Sequence, residues 1–212
     1  MRFRYGPIPE DVLFQPEAEG WSGIREPGPL VLNISAIPVA VLLILATIYA
    51  ISLVWEGGIQ AIIQDVLEQS GPDPFLVSLA VLVISIPVHE LVHLFTHPRL
   101  GRSNKSILGF WLSRGVFYAH YEGVISRDRF LTILISPYMV LVWIPVIILA
   151  VVGASIPLVF VQILVLVALV NSALPAGDIV GFFLLVSQVP SAACVKNRGW
   201  KSYWVQGAPC DA

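Results

Sequence analysis

The stretch PFLVSLAVLVISIPVHELVHLFTHP, residues 74–98, decides how the chain is to be read. Residues 74–96 carry one charge, Glu90. About 20 largely apolar residues suffice for a helix to cross a bilayer, so this stretch is long enough to span one. Near its end His89, Glu90 and His93 form an H-E-x-x-H pattern. On a helix, positions i and i+4 lie on one face, so the two imidazoles can meet a single metal ion from adjacent turns. Glu90, beside the first of them, is placed to take a proton from a metal-activated water as general base. The five-letter pattern is common by itself, and its bland reading is a helix end reaching interfacial water. The setting argues for chemistry, because ionisable groups at membrane depth are costly unless paired and usually mark a functional site.

Working outward, the rest of the chain has a membrane composition. Hydrophobic residues make up 57% and charged residues 12%, against roughly 25% charged in an average globular protein. Residues 30–55 carry no charge, and residues 130–192 carry only Asp178. The first stretch supplies one span. The second has room for two, with a break near Gly153 and a shorter piece after Pro175. The expected fold class is therefore an all-α membrane protein. It is a bundle of about four transmembrane helices with a small β-hairpin between the second and third. The hairpin is read from GFWLSRGVFYAHYEGVI (109–125), rich in aromatic and β-branched residues with turn material at Ser113–Gly115. The organisation is a polar N-terminal segment (1–29), a transmembrane domain (30–192) and a C-terminal tail (193–212). The first segment lacks the apolar run of a signal peptide, so the first span reads as a retained anchor. GGIQAIIQDVLEQSG (57–71) reads as an amphipathic helix at the membrane surface.

Charge placement suggests orientation. Residues 97–129 hold six bases (Arg99, Arg102, Lys105, Arg114, Arg127, Arg129), whereas residues 56–73 hold four acids and no base. Bases near span ends favour the cytoplasm, which puts His89, Glu90 and His93 toward the cytoplasmic side. With four spans the basic tail falls on the same side. The net charge of −2 argues against a nucleic-acid partner, which requires a basic patch. The expected partners are the lipid bilayer and a membrane protein or peptide substrate. Cys194 and Cys210 lack metal-like spacing; they permit a disulfide without demanding one.

A catalytic zinc usually takes three protein ligands and one water. Asp178 leads for the third. It follows NSALPAG (171–177), where Pro175 and Gly177 interrupt a helix, and interrupted membrane helices are tolerated where they line a cavity or are buried in protein. Its bland reading is an N-cap. His97 shares the face of His89 and His93, but i+8 is about 12 Å along a straight helix, too far for bonds near 2.1 Å unless the helix bends. His120, in FYAHYEG, is a candidate substrate-binding or oxyanion group, a rival third ligand, or simply a solvated histidine. Asn171 is a candidate to bond a polarised substrate carbonyl; its bland role is a polar contact between spans.

HELVH at the end of an apolar helix, with a distant Asn…Pro…Gly-Asp in another apolar segment, resembles the zincin peptidase family of small membrane proteins, itself similar to the site-2 proteases. The resemblance covers roughly residues 74–192. It implies a zinc-dependent intramembrane endopeptidase, with His89, His93 and Asp178 as zinc ligands and Glu90 as general base. It further implies that Asn171 helps hold the substrate strand and that the hairpin at 109–125 pairs with unwound substrate. Ala176-Gly177-Asp178-Ile179 stands where site-2 proteases commonly carry Leu-Asp-Gly. The competing function is a zinc-binding membrane protein without protease activity, or a metal transporter. A transporter should carry polar ligands along several spans, whereas here they reduce to His89, Glu90, His93 and Asp178.

Overall fold

Uncharged runs of this length can satisfy their backbone groups in lipid only as helices, and helices are what the computed structural model contains there. It describes residues 1–68 and 71–211. In chain order the elements begin with strands β1 (Arg2–Tyr5) and β2 (Ser22–Gly23), then helices α1 (Pro29–Val54), α2 (Gly58–Glu68) and α3 (Pro74–Thr96). The hairpin strands β3 (Ser106–Trp111) and β4 (Val116–Tyr121) and the short β5 (Ile125–Ser126) follow. Next come α4 (Arg127–Tyr138), α5 (Ile144–Val152), α6 (Leu158–Ala173) and α7 (Ala176–Gln188), and last β6 (Ala193–Arg198) and β7 (Lys201–Gln206). Three helical stretches, Leu30–Val54, Pro74–Thr96 and Arg127–Ser155, are long and apolar enough to span a membrane. The broken pair α6–α7 makes up to four. These helices mark a membrane protein.

The chain divides into two compact units. One comprises Ala36–His89 and Pro137–Ala176, and among the described residues its elements are all helices. Its core is aliphatic: Ile51, Ile62, Val142, Val146, Leu149, Val161, Val165 and Ala168. Apolar packing gains little where the solvent is hydrocarbon, so polar contacts between helices matter more. Thr47 Oγ1 and Ser172 Oγ lie 2.6 Å apart, and Gln162 donates to the carbonyl of Pro74 at 3.3 Å. The breaks have local causes. Pro137, which lacks an N–H, precedes a π-helical turn at Met139–Trp143. Gly153 opens a tight 3-10 turn, and a Cβ there would lie 2.8 Å from the Trp55 ring. Helix α2 packs against α6 through its buried Ile62. It matches the amphipathic stretch expected at 57–71, of which residues 69 and 70 lie outside the described residues.

The other unit comprises Met1–Ser35, Glu90–Ser136 and Gly177–Ala212. It corrects the all-α expectation, since it contains two sheets. One has the order β1-β3-β4, with β1 parallel and β4 antiparallel to β3; the other has the order β2-β7-β6-β5. The hairpin expected at 109–125 is present as β3–β4 and starts three residues earlier. The remaining strands are short or recruited from segments that read as polar ends. Leu185, Val189, Ala193 and Val195 form one core of this unit; Tyr121, Ile125 and Ile133 form another. A Cys194–Cys210 disulfide closes the tail, with Cα atoms 5.8 Å apart. Asp211 beside it accepts from Lys105 Nζ at 2.7 Å and from the Tyr121 hydroxyl at 3.0 Å.

Candidate metal centre

Helix α3 runs unbroken through the pattern, so His89 and His93 sit one turn apart, as their spacing requires. Each is buried, with 6% of its surface exposed. The ring of His93 is oriented by the backbone: its Nδ1 lies 2.8 Å from the carbonyl oxygen of Ile133 on α4. A carbonyl can only accept, so Nδ1 carries a proton, which leaves Nε2 as the nitrogen that could give a lone pair to a metal. This is the arrangement in which a ligating histidine is held by a backbone acceptor on its other nitrogen. His93 Nε2 lies 3.4 Å from Asp178 Oδ2. Asp178 is in the first turn of α7, where a carboxylate also complements the helix dipole. Its cap-like position and its contact with His93 are therefore compatible.

His89, His93 and Asp178 each offer one ligand atom, and these atoms all lie within 4.8 Å of one another. Four tetrahedral bonds of zinc length place neighbouring ligand atoms about 3.3 Å apart, which the His93–Asp178 separation matches. The donor set of two imidazoles and a carboxylate, with a position left for water, suits a zinc of the catalytic kind. Among the described residues these three form the one such group.

Glu90 stands beside this group on α3. Its Oε2 accepts the backbone N–H of Ala119 at 2.8 Å. Ala119 is on β4, which ends its sheet, and pairs with Leu108 of β3. Its N–H points away from β3 and toward the glutamate. The carboxylate is thus held by the outer edge of β4.

The other candidates are not in this group of three. His97 lies just past α3, is 2% exposed and meets the Tyr121 ring edge-on at 5.4 Å. It is outside the group of three. His120 on β4 is 6% exposed rather than solvated. Burial pushes its imidazole down to about 4 and that of His97 down to about 3, so both are neutral near pH 7. Asn171 on α6 gives its amide hydrogens to Ser85 Oγ at 3.2 Å and to the Val167 carbonyl at 2.9 Å. That is the interhelical polar contact. The Ile133 carbonyl and the Ala119 N–H escaped the sequence reading, because backbone groups carry no side-chain signature. The one available hint was that the ring of a ligating histidine needs some partner.

The helices and the His-His-Asp group with its adjacent glutamate define a class: membrane proteins built around a candidate metal centre. A family model described as "Putative zincin peptidase" matches residues 82–194, and the chain belongs to that family. The matched region holds the HELVH pattern, the hairpin and Asp178. No curated protein and no solved structure matches the chain.

Proposed function

We propose that the chain is a zinc-dependent intramembrane endopeptidase that hydrolyses peptide bonds of membrane-associated substrates. The observation that carries this reading is the pairing of His93 Nε2 with Asp178 Oδ2 at 3.4 Å, with the other ring nitrogen already held by Ile133. That geometry supports a prepared ligand pair better than a chance polar contact in an apolar helix. Family membership supports zinc and peptidase chemistry.

His89, His93 and Asp178 would hold the zinc. Bound there, zinc would supply Lewis acidity that lowers the pKa of a water to about 7. Glu90 takes the proton of the attacking water, whose oxygen adds to the scissile carbonyl carbon. As the C–N bond breaks, Glu90 passes that proton to the leaving nitrogen. The Ala119 N–H keeps the carboxylate aimed during both transfers. In this reading the substrate is an unwound segment beside the β3–β4 hairpin. Asn171 would hold it by giving up one internal hydrogen bond, and His120, being neutral, would act as a hydrogen-bond donor. The excess of bases in 97–129 puts the site toward the cytoplasmic side.

Metal analysis of purified protein tests the proposal. Wild type should carry near-stoichiometric zinc, and His93→Ala and Asp178→Ala should both lose it. Full zinc in the Asp178 variant would reject the ligand set.

A further inference from the structure

The proline in α4 sits four residues after Ile133, whose carbonyl orients the His93 ring. In an α-helix the N–H of residue i donates to the carbonyl of residue i−4, so the helical donor for the Ile133 carbonyl would come from position 137. That position is Pro137, inside α4, which has no N–H to give and whose ring crowds the carbonyl four residues back. Two side chains use the oxygen instead. His93 Nδ1 lies 2.8 Å from it, and the Ser136 hydroxyl donates to it at 3.0 Å. A carbonyl oxygen has two lone pairs, so these two donors fill it. His93, Ile133, Ser136 and Pro137 are all buried, where losing a hydrogen-bond partner carries the full cost of desolvation.

We propose that Pro137 is a positioning residue of the metal centre. By withholding an N–H it reserves the Ile133 carbonyl for His93, fixes Nδ1 as the hydrogen-bonded nitrogen and leaves Nε2 for a metal. It acts through His93, on the reading of that histidine as a zinc ligand. With an ordinary residue at 137 the oxygen would meet three donors. Two of them, the new N–H and the Ser136 hydroxyl, belong to the helix itself, and a serine hydroxyl can share a helical carbonyl with the backbone. His93 is the donor from outside the helix, so it is the one displaced. Its ring then loses the partner that sets tautomer and orientation, a loss that lowers metal affinity about 10- to 100-fold.

The test measures zinc affinity of the purified full chain in detergent, by competition with a chromophoric chelator. Pro137→Ala should bind zinc about 10- to 100-fold more weakly than wild type. Pro137→Gly restores the same N–H and should weaken binding likewise. Another protein carries lactic acid in place of Pro137, introduced by nonsense suppression. Its ester linkage lacks the proline ring and also lacks an N–H, so it should keep wild-type affinity. A purely structural role for the ring predicts the opposite, with the alanine and ester proteins weakened alike, and that result would overturn the proposal. Wild-type affinity in Pro137→Ala would overturn it too, while leaving the ligand set intact. If His93→Ala binds zinc as tightly as wild type, the ligand assignment itself falls and the role of Pro137 falls with it.

Discussion

Glu90 and His120 show what individual residues contribute. Glutamine at position 90 keeps an oxygen to accept the Ala119 N–H but cannot take a proton. Glu90→Gln should therefore keep its zinc and lose about a hundredfold or more in kcat, read with a membrane-embedded reporter substrate; unchanged turnover would remove the general base from the scheme. His120 predicts a pH effect on stability. Its folded-state pKa is depressed to about 4 by burial, while the unfolded residue protonates near 6.5. The folded state thus binds fewer protons between these values. The stabilisation is complete above pH 6.5 and is lost as pH falls toward 4. The size is on the order of 3 kcal/mol. Unfolding midpoints between pH 7 and 4 should show the loss, and His120→Gln should reduce it, leaving the part that buried His97 contributes.

The β3–β4 hairpin is the element on which the site's aim depends, and Gly109 is its most constrained position. A Cβ there would lie 2.1 Å from the Tyr118 ring across the strand pair. That ring is pinned by its hydroxyl, which reaches the carbonyls of Gly6 and Pro7 at 3.2 and 3.1 Å. Gly109→Ala must displace the ring or the strand, at a cost of about 1–3 kcal/mol. Thermal unfolding of the variant reads this, and an unchanged midpoint would show that the ring moves freely. Displacement of β4 would also move Ala119, so Glu90-dependent turnover should fall more than zinc content does.

For the molecule as a whole, the tail closure and the orientation are the quantities to measure. The Cys194–Cys210 bond spans 16 residues, a loop for which a disulfide contributes about 3 kcal/mol. Replacing both cysteines with alanine should lower the unfolding free energy by about that amount, and reductant should lower wild type to the same level. The same pair reports sidedness. Disulfides persist mainly in oxidising compartments, whereas the base-rich 97–129 favours the cytoplasm. In intact cells a membrane-impermeant alkylating reagent, applied before and after an impermeant reductant, reads the side of the tail: cysteines left unlabelled in both cases would fit the cytoplasmic orientation, and labelling after reduction would reverse it.

Much of the helical plan was legible because charge is expensive in lipid. The apolar runs at 30–55, 74–96 and 130–192 leave few alternatives to helices, and the lone charges Glu90 and Asp178 stand out within the last two. The β3–β4 hairpin was legible from its aromatic and β-branched run about Ser113–Gly115. The second sheet was less so, although Asn-Arg-Gly-Trp at 197–200 is a usable two-residue turn signal. Strands of two residues, such as β2 and β5, have no periodicity to read and exist only because longer partners hold them. Periodicity along α3 was enough to put His89 and His93 on one face. Bringing Asp178 to 3.4 Å from His93, turning that ring with the Ile133 carbonyl and aiming Glu90 with the Ala119 N–H were decided by tertiary structure. Those contacts join distant segments, two of them through backbone atoms that every residue shares, so no local pattern can announce them.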